Sequence, residues 1–308
     1  MNSAQKHNND QAPVLVIVGP TASGKTGLAV KVAQAFSRLK GCDIEAGETA
    51  AEIISADSRA IYKHMNIGTA KPDMAERGGI LHYGFDLVEP GERFTVYEFQ
   101  QYARECIDKI RVQGKLPIVA GGTGLYVDAL IFDYDFSEGS KKNYTNRQEM
   151  NSDYLVVGID WSREVLRGRI EERANKFFTQ EIEKETLYLV EHYGWDSGAM
   201  TSNIYPIIWD MMRGKISREE AIRLFALDDW HLAKRQLTWF KRNKNIHWLK
   251  LEDAEKFIID YYKNYFCSNY TCLYKWFGNV AQATAEREEW FARDDEPNQF
   301  CFPNYLYK

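Results

Sequence analysis

Residues 14–26 read VLVIVGPTASGKT, a short apolar run followed at once by a glycine-rich loop. The apolar run has the length of a buried strand, and the amphipathic stretch from Thr26 to Phe36 predicts a helix. The loop matches the pattern G-x-x-x-x-G-K-[ST] at every fixed position, which predicts a phosphate-binding P-loop. Its residues are Gly19, Pro20, Thr21, Ala22, Ser23, Gly24, Lys25 and Thr26. Backbone N–H groups and Lys25 would hold phosphate oxygens, and the Thr26 hydroxyl could bind Mg²⁺.

The rest of the chain continues to alternate between strand and helix patterns. The predicted elements are strands over 53–56, 116–120 and 154–159, a helix over 96–113, and helices from 162 to about 265. Strands that alternate with helices pair in parallel and carry helices on both faces. The sequence therefore predicts an α/β, P-loop NTPase-like fold with a mostly parallel sheet and a C-terminal helical part.

The composition is that of a soluble globular protein of 308 residues. No apolar run approaches the roughly 18–20 residues that span a bilayer, and the polar start lacks a signal-peptide core. We therefore expect a cytoplasmic protein that acts as a monomer and does not contact a membrane. The predicted organisation is a disordered tail over 1–12, a catalytic domain over 13–266 and a tail of unknown role over 267–308.

Two further strand ends carry candidate site residues. Asp57 follows the predicted strand 53–56, and Gly121-Gly122-Thr123 follows the strand 116–120. The carboxyl ends of parallel strands face the ligand crevice of such folds. Asp57 there could act as a general base or hold Mg²⁺ through water, although Asp is also a common helix N-cap.

The charge distribution leaves two interpretations open. The net charge is −5, yet residues 234–250 contain six Lys or Arg and no Asp or Glu. A local basic stripe on an acidic protein is compatible with RNA binding. It is equally compatible with a solvated helix face.

Segments along the chain carry a resemblance to one family. They read GPTASGKT at 19–26, ISADSRAIYKHMNIGTAKP at 54–72, FTVYEFQQYARECIDKI at 94–110, GKLPIVAGGTGLYVDAL at 114–130 and AKRQLTWFKR at 233–242. On these segments the chain resembles the bacterial tRNA dimethylallyltransferase family, over most of 13–130 and again over about 154–250. The combination is more specific than the P-loop alone, because plain P-loop kinases lack the IGTAKP and GGTGLY segments.

The resemblance implies transfer of a dimethylallyl group from its diphosphate to the exocyclic N6 amine of the adenine 3′ of a tRNA anticodon. It implies that the P-loop and Mg²⁺ hold the diphosphate, that Thr26 touches the diphosphate or the metal, and that Asp57 is the general base. Thr123 would lie at the mouth of the reaction channel. Arg173, in a segment similar to R-I-x-x-R, would reach the diphosphate from the far side. The implied tRNA contacts are Asp57, Ser58, Arg59, Ala60, Lys234, Arg235, Lys241 and Arg242.

The sequence departs from the family's pattern in the parts that handle tRNA. Only residues 133–153 stand where the family has a helical insertion. The family's I-G-Y-[KR]-[EQ] motif is replaced by Ile204-Tyr205-Pro206-Ile207, and its T-R-Q by Asp229-Trp230-His231. Three alternatives therefore stay open: the same transfer to free AMP, ADP or ATP, a small-molecule or nucleotide kinase, and an RNA-binding protein without activity.

Overall fold

The computed structural model describes residues 11–136, 150–195, 197, 200 and 204–268, with only the backbone described at 267 and 268. Its centre is a six-stranded sheet. The strands are β1 (Val14–Val18), β2 (Ala51–Ser55), β3 (His82–Tyr83), β4 (Leu116–Gly121), β5 (Tyr154–Ile159) and β6 (His247–Leu249). Their order is β3-β2-β4-β1-β5-β6, and every pairing between them is parallel. The predicted sheet is therefore confirmed.

Helices cover both faces of this sheet and also form a C-terminal helical part. They are α1 (Lys25–Leu39), α2 (Met74–Arg77), α3 (Val96–Val112), α4 (Gly124–Ile131), α5 (Arg163–Phe177), α6 (Gln180–Tyr193), α7 (Ile204–Met212), α8 (Arg218–Phe240) and α9 (Leu251–Ser268). One face of the sheet packs against α1 and α9, and the other packs against α3 and α4. Burial on both faces explains why the central strands are almost continuously apolar.

The helix α3 shows how local sequence fixes one of these layers. Thr95 caps its start by accepting a hydrogen bond from the Glu98 N–H, and the Glu98 side chain completes a capping box. Phe99 and Ala103 lie on its buried face, as the periodicity predicts. Gly114, with φ +68°, follows its last turn in the left-handed conformation that commonly ends a helix.

The C-terminal helical part has a core of its own, built mainly from α5 to α8 together with Met65. One expectation for this part was wrong. The chain is not helical throughout, because His247–Leu249 forms β6 and pairs in parallel with β5 at the sheet edge. A strand of three residues is too short to show a period in the sequence.

Parts of the predicted domain organisation lie outside the described residues. These are residues 1–10, 137–149 of the predicted insertion and 269–308 of the predicted tail. The domain boundaries therefore remain predictions. Among the helices of the described residues, none combines the length and the apolar character that crossing a membrane requires.

Candidate active site

The P-loop connects β1 to α1 at the carboxyl edge of the sheet. Its backbone winds tightly, with φ +95° at Gly24 and +60° at Ala22. A Cβ on Gly19 would lie 3.0 Å from Ser23 Oγ, so a side chain at position 19 would crowd the loop. The Ser23 hydroxyl is buried and has no hydrogen-bond partner. A buried hydroxyl without a protein partner in such a loop suits an anionic ligand.

The pKa of Lys25 depends on two other predicted site residues, Asp57 and Arg173. Its Nζ donates to the carbonyl oxygen of Pro20 at 2.6 Å, so the side chain folds back over the loop. Burial lowers the pKa of Lys25 to about 8, while the Asp57 carboxylate opposes this shift and the Arg173 guanidinium adds to it. Both groups are thus close enough to act on the lysine. The next residue, Thr26, is exposed in the first turn of α1.

The loops after β2 and β4 are hydrogen-bonded to each other. The Ser58 N–H donates to Thr123 Oγ1 at 2.9 Å, and the Thr123 hydroxyl lies 3.2 Å from Ser58 Oγ. The Thr123 N–H also donates to the carbonyl oxygen of Ala56 at 3.2 Å. A Cβ on Gly121 would lie 2.2 Å from that same oxygen, so only glycine permits this approach. The two loops form one wall beside the P-loop.

Asp57 does not cap a helix in this structure. Its Oδ1 accepts the Arg59 N–H at 2.8 Å, which closes a turn at the edge of the sheet. Asp57, Ser58 and Arg59 are all partly exposed. Ala60 is only 2% exposed, so its side chain offers almost no surface to an RNA.

Gln236 of α8 bridges the two sides of the site, which the sequence analysis did not anticipate. Its Oε1 accepts the Thr21 N–H of the P-loop at 2.7 Å. Its Nε2 donates to the carbonyl oxygen of Gly122 at 3.0 Å. One side chain of the helical part therefore fixes both loops, and the only signal for it in the sequence was its place in AKRQLTWFKR.

A second brace, meaning side chains that hold the P-loop backbone by hydrogen bonds as Gln236 does, consists of Arg169 and Trp161. Arg169 Nε donates to the carbonyl oxygen of Ala22 at 2.7 Å, and Trp161 Nε1 donates to that of Ser23 at 3.0 Å. The Arg169 guanidinium lies 4.9 Å from the centre of the Trp161 ring. In the segment similar to R-I-x-x-R, the first arginine thus touches the P-loop backbone directly.

Arg173, the second arginine of that segment, is engaged by a neighbour. Its Nη2 lies 2.5 Å from Oδ2 of Asp229, and its guanidinium is 5.4 Å from the centre of the Phe177 ring. Its Nε is buried and has no hydrogen-bond partner. Burial raises the pKa of Asp229, and Arg173 opposes that rise. Arg173 therefore has part of its charge neutralised by Asp229, while its charge also lowers the pKa of Lys25.

The basic stripe of α8 lines a groove of about 600 Å³. Its lining residues are His231, Lys234, Arg235, Thr238, Trp239 and Arg242. The structure thus brings together three of the four basic residues in the AKRQLTWFKR segment that are predicted to contact tRNA. Lys241 lies outside the groove, with its Nζ 3.8 Å from the Asp160 carboxylate.

The IGTAKP segment is held by a partly buried carboxylate from the helical part. The Glu185 carboxylate accepts the backbone N–H groups of Asn66, Ile67 and Gly68, each at 2.9 Å. The Tyr205 hydroxyl donates to the same carboxylate at 2.8 Å. A Cβ on Gly68 would lie 2.5 Å from the Tyr205 ring, so this glycine leaves room for the tyrosine.

The residues present can hold the metal that the resemblance implies. The described residues contain no group of three or more His, Cys, Asp or Glu at metal-binding spacing. Mg²⁺ bound to substrate phosphates keeps several waters and takes few protein ligands. The exposed Thr26 hydroxyl, next to a cradle with an unpaired Ser23 hydroxyl, fits that kind of site.

The fold and the site define a P-loop protein of the α/β class whose loop accepts hydrogen bonds from, and donates them to, side chains outside it, among them Gln236 and Arg169. The family model of the IPP transferases matches residues 60–152 and 134–243. A tRNA dimethylallyltransferase of Acetivibrio thermocellus is 36% identical over 316 aligned positions, which cover 82% of this chain and 96% of the relative. One of Staphylococcus aureus is 33% identical, with 80% and 95% covered. The chain therefore belongs to the IPP transferase family, and these tRNA dimethylallyltransferases are its relatives.

Solved structures agree with this assignment. A tRNA isopentenylpyrophosphate transferase of Bacillus halodurans is 25% identical with a TM-score of 0.70, covering 84% of this chain and 98% of that one. The tRNA isopentenylpyrophosphate transferase of Staphylococcus epidermidis is 31% identical with a TM-score of 0.67, covering 82% and 98%. A eukaryotic dimethylallyltransferase acting on tRNA, 20% identical with a TM-score of 0.65, shares the fold.

Proposed function

We propose that this chain transfers the dimethylallyl group of dimethylallyl diphosphate to the exocyclic N6 amine of the adenine 3′ of the anticodon in tRNA. The contact between the loops of Asp57 and Thr123 carries the proposal, with the Ser58 N–H 2.9 Å from the Thr123 hydroxyl. This contact supports a site in which the Asp57 carboxylate would act next to the P-loop. The choice of substrates is supported by the family, whose relatives named above are tRNA dimethylallyltransferases.

The P-loop would hold the diphosphate of the donor. Backbone N–H groups of the loop, the Ser23 hydroxyl and Lys25 would contact one anion, and Arg173 would approach it from the opposite side. Mg²⁺, held by the Thr26 hydroxyl and by diphosphate oxygens, would add Lewis-acid stabilisation of the leaving group. The charge of the bound anion would favour the protonated form of Lys25.

The reaction exchanges one bond to carbon for another. The bond between the dimethylallyl C1 and the diphosphate oxygen breaks, and pyrophosphate leaves with its electron pair. A bond forms between adenine N6 and C1, and Asp57 accepts the proton that the amine loses. Lys25 and the loop N–H groups stabilise the negative charge that builds on the leaving oxygen.

The acceptor base must leave its stack to reach the carboxylate. The turn of Asp57, Ser58 and Arg59 would contact the flipped adenine and its neighbours, while Thr123 forms the channel wall. The basic residues of α8 would meet the phosphates of the anticodon region, since phosphate contacts position an RNA without reading its sequence. We further propose that the protein acts as a monomer in the cytoplasm.

The direct test is mass spectrometry of tRNA nucleosides. Unmodified tRNA with adenine 3′ of its anticodon is incubated with enzyme, Mg²⁺ and dimethylallyl diphosphate, then digested. The expected product is N6-dimethylallyladenosine, formed by the wild type and reduced at least about 10²-fold by Asp57→Asn. Absence of the product with the wild type, under conditions in which a related enzyme works, would contradict the proposal.

Two parallel incubations test the alternatives left open by the sequence. Free AMP, ADP or ATP replaces tRNA in one, and γ-labelled ATP with candidate small molecules replaces both substrates in the other. The family relationship favours the tRNA reaction over both. Faster prenylation of a free nucleotide than of tRNA would move the acceptor to the nucleotide, and label transfer would indicate a kinase.

A further inference from the structure

Gln236 lies on the helix that carries the basic groove but turns toward the opposite side. Lys234, Arg235 and Thr238 are exposed along the groove, whereas Gln236 is partly buried against the two loops. Residues next to each other on a helix point about 100° apart, so one helix can serve both surfaces. The proposed tRNA surface and the phosphate cradle therefore share one rigid element.

The amide of Gln236 is used at both ends. The Thr21 N–H lies 2.7 Å from Oε1, and the Gly122 carbonyl oxygen lies 3.0 Å from Nε2. A Cβ on Gly122 would lie 2.4 Å from Nε2, so the glycine makes the close approach possible. The side chain thus connects the loop proposed to grip the donor with the loop that leads into Thr123.

The helix itself is anchored to the wall of the site. The Trp239 Nε1 donates to Oδ2 of the buried Asp128 at 2.9 Å, which ties α8 to α4. A Cβ on Gly124 would lie 2.2 Å from the Trp239 ring, so the two helices touch closely. Direct contacts therefore connect the helix that carries the groove with α4 and with the two loops.

We infer that Gln236 is a positioning residue that couples tRNA binding on α8 to the grip of the P-loop on the diphosphate. This rests on the proposed function. Binding of one ligand would hold α8 and both loops in the hydrogen-bonded arrangement that this amide makes, so the second ligand would meet loops already held in place. The coupling is reciprocal, because each ligand must change the affinity of the other by the same factor.

The test measures the affinity for unmodified tRNA without pyrophosphate and at saturating inorganic pyrophosphate, which occupies the P-loop without allowing transfer. In the wild type we expect pyrophosphate to tighten tRNA binding at least about fivefold, the lower end of typical coupling. In Gln236→Leu, which keeps the bulk but loses both hydrogen bonds, the ratio should fall to near one. Gln236→Asn should behave likewise, because its amide is one methylene too short to span the loops.

Two further variants separate coupling from general damage. Arg223→Gln changes an exposed residue on the same helix that pairs with Glu220, and its ratio should equal that of the wild type. Arg169→Met removes the other brace of the P-loop, so it should weaken pyrophosphate binding yet keep the ratio at saturation. Thermal unfolding of each variant confirms that it is folded.

The outcomes distinguish this inference from the function on which it rests. An unchanged ratio in a folded Gln236→Leu protein, or a ratio of one in the wild type, would overturn the coupling while leaving the transfer reaction in place. Failure of the wild type to bind tRNA or pyrophosphate at all would overturn both.

Discussion

The guanidinium of Arg173 and the carboxylate of Asp229 form an ion pair, 2.5 Å between Nη2 and Oδ2, that joins α5 to α8. The Asp229 side chain is 3% exposed and that of Arg173 is 28% exposed. Asp229 begins the Asp229-Trp230-His231 stretch that replaces the T-R-Q of the family pattern, so this chain holds a buried carboxylate that pairs with Arg173. Arg173 must divide its charge between Asp229 and any bound diphosphate.

Replacing Asp229 by Asn should therefore change both stability and ligand response. Breaking a buried ion pair lowers the free energy of unfolding by about 3–5 kcal/mol. Because Arg173 is partly exposed, we expect a smaller loss of about 1–3 kcal/mol. Pyrophosphate should supply the missing counter-charge, so the rise in Tm that it causes should be larger in Asp229→Asn than in the wild type. The double variant with Arg173→Gln should lose this extra rise. Equal rises in the wild type and Asp229→Asn would mean that Arg173 does not reach the ligand.

The lowered pKa of Lys25 predicts a pH dependence of donor binding. In the free protein this lysine is charged below about pH 8 and becomes neutral above it. A bound anion favours the charged form, so binding above pH 8 should take up a proton and weaken as the pH rises. Calorimetry of pyrophosphate binding in buffers of different ionisation enthalpy measures this uptake.

Pyrophosphate itself also titrates in this range, so a matched variant is needed. Lys25→Arg keeps a positive charge at every pH used. The proton uptake that comes from pyrophosphate itself is the same in this variant as in the wild type. The uptake by the wild type should exceed that of Lys25→Arg by a fraction of a proton that grows above pH 8. Identical uptake in the two proteins would show that Lys25 stays charged throughout.

Asp57→Asn should slow the chemical step far more than it weakens donor binding. The amide keeps the shape of the side chain but cannot accept the amine proton, and loss of a positioned general base typically costs about 10²–10⁴ in rate. Single-turnover transfer to tRNA and pyrophosphate titration measure the two effects separately. Asp210→Asn, at a carboxylate of α7 that pairs with Lys215, is the control. A loss of only a few-fold would reduce Asp57 to the turn it closes with Arg59.

The groove of α8 predicts unequal effects of its basic residues on tRNA binding. Each phosphate contact contributes about 0.7–0.9 to the slope of log affinity against log salt. Lys234→Gln combined with Arg242→Gln should therefore flatten the slope by up to about 1.4–1.8. Lys241→Gln should change it less, since Lys241 lies outside the groove near Asp160. Slopes that do not differ among these proteins would mean that this helix face is only solvated.

Local patterns were enough to predict the central layers of the fold. The run of Val14–Val18 into the P-loop and the buried face of α3 both depend on neighbours within a few turns of chain, and both are confirmed. The membership in the family, predicted from quoted segments, is also confirmed. The edge strand His247–Leu249 was missed because its pairing with β5 is decided by tertiary structure.

The contacts that shape the site were beyond reach of the sequence for a different reason. Gln236 and Thr21 are 215 positions apart, and Arg169 and Ala22 are 147 apart. No periodicity or turn signal links such pairs, because only the packing of α5 and α8 on the sheet brings them together. The departure at Asp229 was visible in the sequence, but its pairing with Arg173 was not.

The carboxylate of Glu185 has a consequence for how the chain is made. It accepts hydrogen bonds from the backbone N–H groups of residues 66–68, which precede it by 117 to 119 positions. It also accepts one from the hydroxyl of Tyr205, which follows it by 20 positions. On a ribosome the IGTAKP turn is synthesised long before Glu185, which accepts its hydrogen bonds. Until α6 emerges, water must therefore satisfy these three backbone N–H groups. The contacts of this carboxylate can therefore form only after α6 and α7 have been synthesised, when the strands β1 to β5 have already been made.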